Sequence, residues 1–144
     1  MKTNYHTVTL LLGSNLGDSQ QLLAKAGELI NANVGEVVKQ TKVLENEPDG
    51  FVSQHLFYNQ IVQTQTKLTP HQLIAILEDI ERLLGRTKPC CNWRLPREYA
   101  DRTMDIDILY YEDQIVSDDK LEIPHPKINE REFVIQLLDE LNKL

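Results

Sequence analysis

The chain has 144 residues, of which 41% are hydrophobic and 26% charged, and this composition is that of one globular domain with enough apolar residues for a core. The formal net charge of −7 argues against broad binding to nucleic acid or anionic membranes, which requires a positive field. No apolar leader follows Met1, and no apolar run is long enough to span a bilayer. We therefore expect a cytoplasmic protein with a single domain, residues 1–144.

The only two cysteines, Cys90 and Cys91, are adjacent in the sequence. Adjacent cysteines cannot close an ordinary disulfide loop, and without a second pair they make a poor zinc site. We interpret them as free thiols in a reducing compartment.

The first third of the chain predicts a strand, a helix and a second strand. Residues 7–12 are a short apolar run, and residues 36–44 form the second β-like run. Between them, Asp18 with Gln21 three residues later is typical of a helix start. The glycine-containing turn before Asp18 could cradle an anion on helix N–H groups. It lacks the Lys-Ser/Thr of a P-loop, however, and is a weak phosphate motif by itself.

Residues 54–67 carry a second long strand pattern, in which Phe57, Asn59, Ile61 and Gln63 share one face. An asparagine in the middle of a strand, two residues from an aromatic ring, has two interpretations. Asn59 is either a solvated position or a group that recognises the edge of a flat heterocycle. The sequence leaves both open.

A second helix is predicted to begin at Thr69, with Pro70 in its first turn and Gln72 completing a capping box. Gly85 is expected to end it. On a helical wheel, Glu81 falls inside the apolar arc. A carboxylate on a buried face should be desolvated unless it meets a cation or a ligand hydroxyl, so Glu81 is the glutamate with the strongest claim to a functional site.

Residues 86–102 have no clear periodicity but contain five of the 15 basic residues of an acidic chain. Such a segment is either a solvated loop or a loop that attracts an anion. It leads directly into a pair of aspartates, and phosphate chemistry uses both guanidinium groups and metal-binding carboxylates. We expect residues 86–102 to form a mobile basic loop that folds over bound phosphates.

Residues 103–111 alternate as in a β-strand, with two carboxylates on one face. The two predicted faces are Met104, Ile106, Ile108 and Tyr110 on one side and Thr103, Asp105, Asp107, Leu109 and Tyr111 on the other. The Cβ atoms of Asp105 and Asp107 should lie roughly 6–7 Å apart. Their mutual repulsion must be offset, either by a divalent cation or by basic side chains on a wet sheet face.

The last part of the chain contains His125 between two prolines, then Arg131 and Phe133 and a predicted helix within residues 130–141. The full order of elements is β-α-β-β-α-β plus a tail. This order predicts an α+β fold, a ferredoxin-like α/β sandwich with helices packed on one face of an antiparallel sheet.

Short motifs occur in one order along nearly the whole chain. They are Gly13-Ser14-Asn15-Leu16, Pro48-Asp49-Gly50, Phe57-Tyr58-Asn59, Glu81 with Gly85-Arg86, Arg102-Thr103-Met104-Asp105-Ile106-Asp107-Ile108, and Pro124-His125-Pro126 followed by Arg131 and Phe133. In these motifs the chain resembles the 6-hydroxymethyl-7,8-dihydropterin pyrophosphokinases. Enzymes of this family transfer a pyrophosphoryl group from ATP to a pterin alcohol in the folate pathway.

The resemblance implies that Asp105 and Asp107 hold two Mg²⁺ ions that bridge the phosphates of ATP. It also implies that Arg86 and Arg102 clamp those phosphates. The other residues implied on the nucleotide side are His125, Arg131, Glu81 near the ribose and Ile108 near the base.

On the pterin side, the resemblance implies a hydrogen bond from Asn59 and a sandwich of the pterin between the rings of Phe57 and Phe133. Tyr99 takes the place of the usual tryptophan in the basic loop. The chain departs from the family pattern at further positions, namely Glu78 for glutamine, Lys88 for arginine, Leu44-Glu45-Asn46 for Tyr-x-Thr, and extra residues at 90–95.

The expected function is a Mg²⁺-dependent transfer of pyrophosphate from ATP to the hydroxymethyl group of the pterin, with release of AMP. The expected partners are these two small molecules, without nucleic acid or membrane, and the expected state is a monomer or weak homodimer. The rival hypothesis is a non-catalytic, ferredoxin-like module that binds a nucleotide or metabolite. Formation of AMP that depends on a pterin alcohol separates the two hypotheses.

Overall fold

The computed structural model of the protein describes residues 5–15, 18–46, 57–85, 104–119, 121–126, 128 and 131–144. In chain order its elements are β1 (His6–Ser14), α1 (Ser19–Asn33), β2 (Gly35–Gln40), β3 (Leu44–Asn46), β4 (Phe57–Thr66), α2 (Pro70–Leu83), β5 (Asp105–Tyr111), β6 (Val116–Ser117), β7 (Glu122–Ile123) and α3 (Glu132–Asn142).

The main sheet has the strand order β2-β4-β1-β5, and β3 also pairs with β4. Every pairing in it is antiparallel. Because β2 and β3 lie along the same side of β4, they act as two parts of one edge strand. The sheet then has the arrangement of the ferredoxin-like sandwich, which confirms the predicted α+β fold. Strands β6 and β7 form a separate small hairpin.

The prediction of one continuous strand over residues 36–44 is wrong, because the edge strand is interrupted at Thr41. The Thr41 hydroxyl accepts a hydrogen bond from the Ile61 N–H at 3.0 Å, while its own N–H donates to the Ile61 carbonyl. The Gln60 side chain also donates to the Thr41 carbonyl. These contacts replace the regular ladder, and the strand resumes at Leu44.

The capping signals of α1 and α2 are confirmed. The Asp18 carboxylate accepts from the Gln21 N–H, and Thr69 and Gln72 form a complete capping box. Gly85 follows α2 with a φ of 100°, a left-handed conformation that favours glycine. None of the described helices is both long enough and apolar enough to cross a membrane.

The two faces of the sheet carry separate cores. One face packs against α1 and α2; its buried residues are Val8, Leu10, Leu12, Leu23, Ala26, Ile30, Val34, Val62, Leu73, Leu77, Ile80, Met104, Ile106, Ile108, Tyr111, Leu121 and Ile123. The opposite face packs against α3; its buried residues are Leu11, Ile61, Leu109, Ile128, Val134, Leu137 and Leu141. The expectation of helices on one face holds for α1 and α2 but is wrong for α3. Its apolar stripe is buried on the face that α1 and α2 leave open.

Strand β5 contains a β-bulge at Leu109, because Thr9 pairs with Tyr110 whereas the adjacent Leu10 pairs with Ile108. The extra residue reverses the alternation. Tyr111 therefore lies in the core beneath α1 and α2, and Tyr110 packs against the α3 core. The faces predicted for these two tyrosines are wrong, whereas the predicted faces of residues 104–109 hold.

Candidate functional site

The candidate site is a row of residues that crosses three strands on the face covered by α3. Gly13 of β1 pairs with Asn59 of β4 on one side and with Asp105 of β5 on the other. Directly paired residues of antiparallel strands point to the same face of a sheet. In the next row of this face, Leu11 is flanked by Ile61 and Asp107. Residues expected to bind two different substrates thus lie two strands apart.

At the β5 end of these rows lie the aspartate pair and His125, the residues expected on the nucleotide side. The His125 Nε2 and Asp107 Oδ1 atoms are 4.0 Å apart, and only 12% and 14% of these two side chains are exposed. The main-chain N–H of His125 donates to the Leu109 carbonyl at 3.1 Å, which anchors the loop to β5. The structure therefore brings His125 to Asp107, although 18 positions separate the two residues in the sequence.

The donor set suits Mg²⁺. Within the described ranges, no group of three or more His, Cys, Asp and Glu side chains is arranged to hold a metal. This part of the chain therefore does not supply a complete set of metal ligands from protein side chains alone. Mg²⁺ is usually held by one or two carboxylates together with water and the phosphates of a substrate. Asp105 and Asp107, side by side on a partly open face, fit that mode.

The other end of the row is on β4, where Phe57 and Asn59, the residues expected on the pterin side, are two residues apart and share a face. Asn59 is buried, with 4% of its surface exposed, and Phe57 is half-buried. Phe133 lies at the start of α3 and packs against the α3 core, and the Arg131 guanidinium carbon is 6.0 Å from its ring centroid. Both aromatic rings are thus on the same side of the sheet as Asn59.

Glu81 is buried as predicted, with 3% of its surface exposed. Its Oε2 accepts a hydrogen bond of 2.7 Å from the Ile106 main-chain N–H. Among the described strands β5 is the last of the sheet, so this contact binds the outer edge of the strand that carries the aspartates. The proximity of Glu81 to a ribose stays a prediction.

The side chain of Ile108 lies in the core beneath α1 and α2, away from the carboxylates. Residues two apart in a strand direct their main-chain N–H and C=O groups to the same side. The main-chain groups of Ile108 therefore point to the same outer edge of β5 as those of Ile106. A base near Ile108 would therefore meet its backbone. Three further site candidates, Arg86, Tyr99 and Arg102, and the rest of the expected basic loop lie outside the described residues, so their roles stay predictions.

Residues of the β1–α1 turn gain a structural role that the sequence did not indicate. The Ser14 hydroxyl donates to the Ser19 hydroxyl at 2.9 Å in a buried position, and Asn15 is 2% exposed. The N-terminus of α1 is already capped by Asp18. Residues 16 and 17 of this turn lie outside the described residues, so an anion cradle here stays a prediction. The only sequence signal for the buried Ser14 and Asn15 was the Gly13-Ser14-Asn15-Leu16 motif itself.

Comparison with known proteins agrees with this geometry. The family model described as 7,8-dihydro-6-hydroxymethylpterin-pyrophosphokinase matches residues 9–143. The chain belongs to this family. It is an enzyme, a pyrophosphokinase of folate synthesis.

Two bacterial relatives are named 2-amino-4-hydroxy-6-hydroxymethyldihydropteridine pyrophosphokinase. The one from Porphyromonas gingivalis is 39% identical over 135 residues, which cover 93% of this chain and 89% of the relative. The one from Bacillus subtilis is 33% identical over 133 residues, covering 92% and 75%. The mitochondrial folate synthesis bifunctional protein of Arabidopsis thaliana is 34% identical, and this chain spans 24% of its length.

Among solved structures, the HPPK-DHPS protein of Plasmodium falciparum (A437G, with SDX-DHP) has a TM-score of 0.76 at 14% identity. The alignment covers 97% of this chain but only 42% of that larger chain. At this level of identity the similarity establishes the fold alone.

Proposed function

We propose that the protein transfers the pyrophosphoryl group of ATP to the hydroxymethyl oxygen of 6-hydroxymethyl-7,8-dihydropterin in a Mg²⁺-dependent reaction, with AMP as leaving group. The observation that carries this proposal is the row Asn59–Gly13–Asp105. It places a group suited to the edge of a flat heterocycle and a group suited to metal-bound phosphates on one face of the sheet. Two strand spacings, about 10 Å, separate the ends of the row.

Positioning is the main task of the side chains in this proposal. Asn59 would fix the pterin through its carboxamide, and the rings of Phe57 and Phe133 would hold the pterin faces. Phosphoryl transfer needs little covalent chemistry from the protein and depends on bringing the attacking oxygen in line with the phosphorus. A sheet is well suited to that task, because the pairing of the strands fixes the distance between Asn59 and Asp105.

Electrostatics is the second task. Asp105 and Asp107 would hold Mg²⁺, which supplies the positive charge that the phosphate oxygens require. His125, beside Asp107, can donate a hydrogen bond toward a phosphate oxygen. Arg86, Arg102 and Arg131 are the proposed guanidinium partners of the phosphates, since a guanidinium binds phosphate through two parallel hydrogen bonds.

The test is a turnover assay with ATP, Mg²⁺ and the pterin alcohol, in which both products are identified by mass spectrometry. We expect AMP and the pterin diphosphate in equal amounts. A 6-methyl pterin, which lacks the attacking hydroxyl, is the matched control and should give no AMP. Chelation of Mg²⁺ should stop turnover, and added Mg²⁺ should restore it.

Three results would contradict the proposal. They are ADP in place of AMP, AMP that forms equally with the 6-methyl pterin, or binding of both ligands without any product. The last result would favour the alternative of a non-catalytic binding module.

A further inference from the structure

Gly13, at the centre of the row, is in unusually close contact with the residues on β4. A Cβ atom built on Gly13 would lie 2.8 Å from Asn59 Oδ1, 3.9 Å from Asn59 Cγ and 4.0 Å from Phe57 Cδ1. Real Cβ atoms essentially never approach another heavy atom within 3.0 Å. The Asn59 carboxamide therefore occupies the space that any side chain at position 13 would need.

The strand beneath this contact has little freedom to shift. β1 is paired with β4 from His6 to Ser14 and with β5 on its other side. The residues that flank Gly13, Leu12 and Ser14, are fully buried. A side chain at position 13 would thus be accommodated by movement of the Asn59 carboxamide, which is the far end of a side chain, and not by movement of the sheet.

The three atoms nearest to this position all belong to β4, and none belongs to Asp105 on β5. The close contact is therefore one-sided. A substitution at Gly13 should displace the Asn59 carboxamide and leave the aspartate pair in place.

We infer that Gly13 is a positioning residue for the pterin, which acts by leaving room for the Asn59 carboxamide to extend across β1. This inference rests on the proposed function and deepens it. The glycine contributes no group to the substrate. Its role is to let the Asn59 side chain occupy the volume above its Cα atom, whereas the Phe57 ring at 4.0 Å would be in ordinary van der Waals contact with an added Cβ.

The test measures the binding of two ligands, the pterin alcohol and a non-hydrolysable ATP analogue with Mg²⁺, by calorimetry. Gly13→Ala should weaken pterin binding about tenfold or more, since a displaced carboxamide loses its hydrogen bonds to the ligand. Binding of the ATP analogue should stay within about twofold of the original. The matched control is Gly27→Ala, because a Cβ built on Gly27 meets no described atom within 4 Å apart from its chain neighbours and the adjacent backbone of its own helix. It should leave both affinities unchanged.

A double substitution distinguishes displacement of Asn59 from general damage. In an Asn59→Ala background the clash is absent, so adding Gly13→Ala should change pterin affinity by about twofold or less. If Gly13→Ala alone fails to fold, the double variant should fold, as judged by its thermal transition.

The inference is overturned if Gly13→Ala binds pterin as well as Gly27→Ala does. It is also overturned if Gly13→Ala weakens pterin binding equally with and without Asn59, or if the double variant does not fold. Failure of the unsubstituted protein to bind pterin would instead refute the proposed function, and the inference with it.

Discussion

In the part of the chain that the structure describes, the two faces of the sheet differ in the size of their apolar cores. Helices α1 and α2 close one face over a large apolar core, whereas the core under α3 is smaller and ends beside the polar row that contains Asn59 and Asp105. The same strands supply both faces, because successive residues point in opposite directions. Core residues and candidate site residues therefore alternate along strands such as β5. Substitution of a core residue should lower the free energy of unfolding, whereas substitution of the site residue next to it should lower kcat.

The largest effect is expected at the aspartate pair. Asp105→Ala or Asp107→Ala should lower kcat by at least roughly 10²–10³-fold, the usual loss for one electrostatic contact to a transition state. The free energy of unfolding without ligand should stay level or rise, because one of two repelling carboxylates is gone. Steady-state kinetics and urea unfolding measure the two quantities. An Asp105→Ala enzyme with normal activity and Mg²⁺ dependence would remove the carboxylates from the site.

Substitution of Leu12, which precedes Gly13 on β1, should have the opposite effect: it should lower stability and leave activity unchanged. Its side chain is fully buried in the core beneath α1 and α2, opposite Ile106. Leu12→Ala should lower the free energy of unfolding by about 2–5 kcal/mol, while kcat per folded molecule stays near the original value. A loss of kcat in fully folded Leu12→Ala protein would show that the two faces are not separate in function.

Glu81 links α2 to β5, since its carboxylate accepts a hydrogen bond from the Ile106 N–H. Glu81→Ala should lower the free energy of unfolding by about 1.5–3 kcal/mol, because the hydrogen bond from the Ile106 N–H to a charged acceptor is lost. Glu81→Gln retains an oxygen acceptor of the same shape and should keep much of that stability. Equal losses in both variants would indicate that the negative charge, and not the hydrogen bond, is required.

Phe57 and Phe133 are the two rings proposed to sandwich the pterin. Phe133→Ala and Phe57→Ala should each weaken pterin binding by at least the roughly 0.5–1.5 kcal/mol of one stacking contact. Binding of the ATP analogue should change much less. Calorimetry with each ligand alone measures this difference. Equal weakening of both ligands would argue against a pterin sandwich.

The smallest effect is expected far from the site, at Tyr111. Its hydroxyl donates to the Leu68 carbonyl at 2.6 Å. Burial, and then the charge of Glu112, raise its pKa above the ordinary value of 10.0. The folded state therefore holds this proton more tightly than the unfolded state. The associated stability is complete below about pH 10 and is lost as the pH rises through the folded-state pKa.

Tyr111→Phe should accordingly cost about 1 kcal/mol at neutral pH for the lost hydrogen bond, and it should flatten the decline in stability above pH 10. Thermal unfolding between pH 7 and 11 measures both effects. An alkaline decline as steep as in the original protein would assign that decline to other groups.

Features set by local sequence were predictable. The Thr69 and Asp18 caps, the turn at Gly85 and the burial of Glu81 each depend on residues within one or two helical turns, and each is confirmed. The element order then led to the fold, because few topologies suit it.

Features set by pairing between distant strands were not predictable. The bulge at Leu109 is defined by the pairing of β5 with β1, and the interruption at Thr41 by hydrogen bonds to Ile61 of β4. The contact of Gly13 with Asn59 likewise requires a register that the sequence does not display. For the same reason, the burial of Glu81 was predictable but its partner, the Ile106 N–H, was not.

Both outer edges of the sheet carry features that oppose the addition of a further strand. On β5, Glu81 binds the Ile106 N–H and the His125 N–H binds the Leu109 carbonyl. On the other edge, the chain bulges at Val38, and the Glu140 carboxylate accepts from the Lys42 N–H at 2.6 Å. Groups already engaged in this way cannot template a strand from another molecule. These contacts should therefore oppose edge-to-edge association between molecules at high concentration.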